Sequence, residues 1–394
     1  MNPTSLYTAP NALAPHYTRF RVAERLLLTG HSHQAWPDAG FAAQADSWND
    51  AAELVDDKWE RAFAKAGAVK AGFAALLGEP GAAIALAPNT HELVVRLISA
   101  LPLRERPRIV TTDGEFHTVR RQLDRLAEAG LEIVRVPEAP LESIAERMAR
   151  AVNGRTALVI MSAVFFDTGR IARGLGVVAE ACRREGATFL VDVYHALNVV
   201  PFPLAEQGLM DAYVVGGGYK YCQLGEGNCF LRIPPDCALR PVITGWFSEF
   251  TALASREREG RTAYGEGGDR FAGATYDPAS HYRAAAVFHF FREQGLHPAL
   301  LREVSQHQVG VLAARFDQLD LDPFRITRDR SAPLGETGGF LALRSREAVA
   351  LAARLHALGV LVDARGDVLR FGPAPYLSDA QLESAMDALR EACA

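Results

Sequence analysis

Two stretches, FLVDVYHALNVV (189–200) and VVGGGYKY (214–221), decide how this chain is read. Asp192 closes the first β-rich run, and Lys220 follows the second after three glycines, 28 residues further on. In open α/β sheets ligands gather at the carboxyl ends of strands, so both side chains fall at a functional edge. A carboxylate there can hold a protonated pyridine nitrogen, and an amine there can form an imine with an aldehyde. Gly216, Gly217 and Gly218 would let the backbone turn tightly next to a bound group.

Working outward, five more short apolar runs frame these two: AAIALA (82–87), RIVTT (108–112), LEIVRV (131–136), ALVIMS (157–162) and NCFLRI (228–233). Helical patterns separate most of them, which predicts an α/β domain built on a largely parallel sheet covered on both faces. A helical spacing over 51–77 precedes the runs, and a long helix over HYRAAAVFHFFREQG (281–295) leads into a second, α+β region. The expected organisation is an N-terminal arm over 1–45, a large domain over 46–285 and a small C-terminal domain over 286–394.

Composition narrows the chemistry. With 394 residues, 49% hydrophobic and 23% charged, the chain suits two cores rather than a disordered or fibrous protein. A net charge of -5 gives no basic field for nucleic acid. No apolar stretch reaches the length of a membrane span, and the start of the sequence lacks a basic-then-apolar signal, so a cytoplasmic protein with a small-molecule substrate is expected. The five cysteines form no CxxC pair, so neither a disulfide framework nor a thiolate metal site is indicated. Of 42 basic residues only Lys58, Lys65, Lys70 and Lys220 are lysines, and the first three fall within the 51–77 helix. Lys220 is therefore the candidate amine nucleophile.

VDVYHALNVVPF (191–202) and GGYKYCQLGEGNCFLRI (217–233) resemble the aspartate and lysine segments of kynureninases, in the class V aminotransferase group of fold type I pyridoxal 5'-phosphate (PLP) enzymes. GWF (245–247), FAGATYDP (271–278) and LRFGPAPY (369–376) follow in the same order. The resemblance implies an aspartate-aminotransferase-like fold, with a mainly parallel seven-stranded sheet and a smaller α+β domain, and PLP as cofactor. It makes Lys220 the Schiff-base lysine, Asp192 the partner of the pyridinium nitrogen and Tyr219 an assisting acid. His195 would lie near the phenolic oxygen, and Tyr219, Trp246, Asn89 and Thr90 would serve the phosphate. Thr275 would reach it from a neighbouring subunit, which implies a homodimer. Phe116 would stack on the ring, and Arg370 would grip the substrate's α-carboxylate. Several of these residues have plainer uses, since Asn89 and Thr90 open a helix that either could cap, and Phe116 and Trp246 could fill core.

The activity implied is hydrolytic Cβ–Cγ cleavage of an amino acid, releasing alanine. Kynureninases carry Gly-Asn-Ser-Leu-Gly where this chain has TGHSHQAWP (29–37), an acidic residue where it has Val119, and Gly-His where it has Ser248 and Glu249. His31, His33 and Glu249 are accordingly candidates for a different substrate pocket. Alternatives are an aminotransferase or another lyase on the same scaffold, a cysteine desulfurase, a PLP-binding protein without turnover, and, from the paired histidines of LLLTGHSHQ (26–34), a metal-dependent amidohydrolase.

Overall fold

The structure, a computed structural model, describes residues 1–252 and 262–394. Strand β1 is the short Leu26–Leu27 of the N-terminal arm. The seven apolar runs become β2 (Ala83–Ala87), β3 (Arg108–Thr112), β4 (Glu132–Val136), β5 (Thr156–Ser162), β6 (Thr188–Asp192), β7 (Tyr213–Gly217) and β8 (Cys229–Ile233). They form one sheet in the order β2-β8-β7-β6-β5-β3-β4. Pairing is parallel from β4 through β3, β5 and β6 to β7, while β8 runs antiparallel to both β7 and β2.

Every residue of β5, β7 and β8 is buried, which is why these segments read as continuous apolar runs rather than alternating ones. Helices His117–Glu128, Ile144–Ala151 and Leu175–Glu185 cross between strands and bury one stripe each, for example Leu175, Val178, Ala181 and Cys182 of the last. One charge lies inside the sheet. Arg232, in the middle of β8, is fully buried and pairs through Nε and Nη2 with Glu79 at 2.7 and 2.6 Å, while Nη1 donates to the Met210 and Ala212 carbonyls. Each nitrogen of that guanidinium has a protein partner, so it is a scaffold group.

The small domain carries β9 (Thr327–Arg328), β10 (Leu341–Arg344), β11 (Val360–Leu361), β12 (Asp363–Arg365) and β13 (Val368–Phe371). Four of these form an antiparallel sheet in the order β12-β13-β10-β9, with the helices Pro298–Gln318 and Asp379–Cys393 packed together beside it. The 51–77 pattern is split in the structure. One helix ends at Leu54, Val55 adopts a left-handed φ of 51°, and a second helix starts at Lys58. A β-branched residue in that region ends a helix, because its Cβ crowds the following carbonyl. The first of these helices, Asp38–Leu54, packs on Ala279–Glu293 and crosses the expected arm boundary.

The arm itself is a positioning device. Strand β1 pairs in parallel with β11, and Leu6, Leu13 and Tyr17 are buried in the shared core. Asn11 donates to the Pro375 carbonyl at 3.0 Å, and the Ala35 N–H donates to Tyr376 Oη at 2.9 Å. Tyr17 Oη donates to Gln223 Oε1 at 2.5 Å, tying the arm to the loop that carries Lys220. Among the described residues no helix is long and apolar enough to cross a membrane.

Candidate active site

Asp192 is the last residue of β6, and Lys220 stands three residues beyond β7, its parallel neighbour, so both reach the carboxyl edge of the sheet. The Tyr194 N–H donates to Asp192 Oδ1 at 2.8 Å, an Asx turn that fixes the carboxylate as the chain leaves the strand. The Lys220 loop is closed by Gly218 N–H to Asn228 O at 2.8 Å and Leu224 N–H to Gly218 O at 2.9 Å. None of Gly216, Gly217 and Gly218 has positive φ. Their role is room rather than a tight turn: a Cβ on Gly217 would collide with Tyr194 Oη and Cys229 Sγ, and one on Gly218 with the Leu224 side chain.

The Lys220 amine is buried, with the residue 6% exposed. Its Nζ lies 2.5 Å from His195 Nε2, 4.6 Å from the ring centre of Tyr194 and 5.5 Å from that of Phe116. Burial lowers its pKa to about 7, with nearby Arg370 adding to the fall and Asp192 opposing it. Burial, with Lys220 beside it, also holds His195 well below its ordinary value, so the imidazole is neutral. Asp192 is pushed up by burial and restrained by the Tyr194 N–H and Lys220.

An ordinary lysine is almost wholly protonated at pH 7, whereas an amine with a pKa of about 7 is roughly half free base there. The rate at which cofactor-free protein takes up an aldehyde at Lys220 is therefore expected to rise with pH and level off near pH 8. Stopped-flow absorbance across pH 6 to 10 checks this, and a rate still climbing at pH 10 would contradict the buried amine.

Arg370 comes to the same place from the small domain. It is 3% exposed, and Lys220 lies within its electrostatic reach. Its Nε and Nη2 bind both oxygens of Asp363 at 2.8 and 2.5 Å, and Nη1 donates to the Phe166 carbonyl at 2.6 Å. His31 Nε2 lies 2.7 Å from Asp363 Oδ1, and the His31 side chain is fully buried. Burial lowers His31 to about 4, so it is a neutral donor to that carboxylate. Burial alone would raise Asp363, but the hydrogen bonds from His31 and Arg370 outweigh it and hold the carboxyl well below the usual range.

The other sequence candidates divide. Phe116 sits beside Lys220, its ring centre 5.5 Å from the amine. Tyr219 stacks on exposed His33 at 4.7 Å and lies beside Tyr194, so His31 and His33 face different neighbours and do not converge on one point. Asn89 Oδ1 accepts from the Glu92 N–H at 3.0 Å, which makes it the N-cap of helix Thr90–Ser99. Trp246 Nε1 donates to Thr275 Oγ1 at 3.2 Å within the one chain, on an exposed surface. Thr275 borders a cavity of about 810 Å³ that also takes in Pro88 and Glu92, next to the Asn89 cap, but not Lys220 or Asp192.

Three further side chains of the site are not among the sequence candidates. Tyr194 walls Lys220, Asp363 holds Arg370, and Glu115 lies buried behind Asp192. Glu115 accepts from Thr112 Oγ1 at 2.7 Å, Ser162 Oγ at 2.6 Å and the Ser162 N–H at 3.0 Å. Burial still pushes it up to about 7, despite those hydrogen bonds.

A mainly parallel sheet with a buried lysine and an aspartate at adjacent strand ends defines the type I fold of PLP-dependent enzymes. The cystine C-S lyase C-DES, solved with cysteine persulfide, superposes with a TM-score of 0.80 over 94% of this chain and 98% of its own, at 18% identity. A cysteine desulfurase from Thermococcus onnurineus does so with a TM-score of 0.76 over 94% and 95%, at 17% identity. A profile of the kynureninase C-terminal domain matches residues 301–389. An uncharacterised aminotransferase, YcbU of Bacillus subtilis, is 23% identical over 84% of both chains. A kynureninase of Xanthomonas oryzae is 28% identical over 75% of this chain and 73% of its own. In sequence the chain is thus similar to kynureninases and class V aminotransferases, its fold is that of type I PLP enzymes, and its cofactor is PLP.

The site fits that group. PLP requires an unprotonated amine for its aldehyde, an acid facing its ring nitrogen and polar atoms left open around its ring. Lys220 supplies the first, Asp192 stands at the adjoining strand end, and His195 Nδ1 is buried without a hydrogen-bond partner.

Proposed function

We propose that the protein cleaves an α-amino acid hydrolytically between Cβ and Cγ, giving alanine and a carboxylic acid, in the manner of a kynureninase. The observation that carries the reading is the kynureninase C-terminal match over 301–389, because that segment contains Arg370, the group placed beside Lys220 from the second domain. Bound PLP supplies an aldehyde carbon for the substrate's amine and a cationic ring that draws electron density away from Cα.

The chain's own residues do the rest. Asp192 keeps a proton on the ring nitrogen by placing a negative charge against it. As a free amine Lys220 is a buried base with a pKa near neutrality, and it would be suited to taking the Cα proton and delivering it elsewhere. His195, within 2.5 Å, can accept from that amine or donate to it as its charge changes. Tyr219 is the assisting acid, and Phe116 and Tyr194 exclude water from the amine. Arg370 receives the α-carboxylate. Trp246 would hydrogen-bond the phosphate, and exposed Thr275 would reach the phosphate of a neighbouring subunit in a homodimer.

Incubation of the PLP-loaded protein with kynurenine and 3-hydroxykynurenine is expected to release alanine. Absence of alanine from both would reject the reading. A second reading, amino-group transfer, is favoured by the match to YcbU across 84% of both chains. It is distinguished by return of the cofactor from its amine form only when a keto acid is added. A desulfurase reading has little support, because Cys222, two residues from Lys220, is fully enclosed and burial raises its thiol far from reactivity.

A further inference from the structure

A guanidinium has five N–H donors. In Arg370, Asp363 takes one from Nε and one from Nη2, and the Phe166 carbonyl takes one from Nη1, which leaves one N–H on each Nη for a ligand. Asp363 is built into this position rather than merely near it. It lies directly opposite Arg370 in the β12–β13 register. Its Oδ1 is held at 2.7 Å by His31, which is seated where the arm bridges Gly372, at a contact that leaves no space for a Cβ on that glycine. The Lys220 amine lies within reach of both charges, so any ligand placed between them meets a carboxylate as well as a guanidinium. In so buried a setting charges interact far more strongly than in water, and the resident carboxylate offsets much of the arginine's pull on another.

We propose, resting on the reading of Arg370 as receptor of the substrate's α-carboxylate, that Asp363 is a specificity-determining residue. Held by His31, it is a permanent counter-ion that restricts Arg370 to a charge-balanced, two-N–H hold on the substrate. Carboxylates as a class are then bound weakly, and discrimination passes to the parts of the substrate beyond Cα.

Propionate, a carboxylate without an amino group, tests this by calorimetric titration into the PLP-loaded protein. Asp363→Asn is expected to bind it about tenfold more tightly than the unmodified protein, the opposite of what loss of a merely structural contact produces. His31→Gln, which keeps the charge, is expected to stay within about threefold of the unmodified protein. Unchanged or weaker binding by a folded Asp363→Asn overturns the proposal. If that variant fails to fold, Asp363→Ser is read in the same way, and failure of both to fold also counts against it, since Asp363 would then be a folding residue. Arg370→Gln separates the two layers. If it leaves propionate binding intact, the carboxylate reading itself is lost. If it abolishes binding while Asp363→Asn changes nothing, only the counter-ion proposal fails.

Discussion

Replacing Lys220 by alanine is expected to lower turnover by about 10⁴-fold or more, because in the proposed mechanism one side chain is both the covalent anchor and the proton carrier. The other lysines, Lys58, Lys65 and Lys70, all lie on one helix of the large domain, Lys58–Leu76, and Lys220 is the lysine whose charge acts on both Asp192 and His195, so none is expected to substitute. Borohydride reduction followed by mass spectrometry reads the anchor directly. The unmodified chain gains the mass of the reduced cofactor on the peptide containing Lys220, and the variant gains none. The fold is expected to survive, since the substitution removes a buried amine rather than a packing group. The sign of the linked effect can be worked out from the direction of the shift. Between about pH 7 and the ordinary lysine value of 10.5, the unfolded chain holds a proton on this amine that the folded, cofactor-free chain does not. Unmodified protein should therefore gain stability relative to Lys220→Ala as pH rises through that window, and the desolvation burden should be largest below pH 7. Retained activity, or a labelled peptide elsewhere in the chain, would remove Lys220 from the mechanism.

Asp192→Asn is expected to leave the cofactor bound but to lower kcat/KM by about 10²- to 10³-fold. An amide of the same shape keeps the acceptor for the Tyr194 N–H, so the turn after β6 should persist. What is lost is the negative charge. An opposite charge within about 4–6 Å moves a pKa by roughly one to three units, so the ring nitrogen of the bound cofactor should release its proton at a correspondingly lower pH. A pH titration of the cofactor's visible absorption reads this separately from the rate. Normal turnover together with an unshifted titration would show that the acid facing the ring is some other group.

The parts of this molecule that could be read from the chain share one property: their signal is local. Strands β5, β7 and β8 are buried on both faces and so appear as unbroken apolar runs, and Asp192 and Lys220 stand out by lying where such runs stop. Arg232 shows the limit of that approach, because its run gave no hint of a charge satisfied by Glu79, 153 residues away. Asp363 was closer to reach. DARGDVLRF (363–371) is a hairpin whose turn contains Gly366 at φ 55°, and counting back from that glycine sets Asp363 opposite Arg370. His31 could be flagged as unusual but not assigned, since its partner is 332 residues distant. Asn89 carried two meanings in sequence, and its side chain in the structure is turned to the cap. The glycines before Lys220 were visible as a motif, yet the reason for them, clearance for Tyr194 and Leu224, exists only once the neighbouring loops are folded.

The pairing of β1 with β11 and the seating of His31 against Gly372 bear on the order in which the protein is made. The arm leaves the ribosome before the hairpin that receives it, which emerges more than 300 residues later. A nascent chain can complete the seven-stranded sheet, with the lysine and aspartate in place, while the arm still has nothing to dock on. Arg370 thus joins Lys220 only after synthesis has passed Gly372, so on the proposed reading half-made chains hold the amine without the group that would grip its substrate.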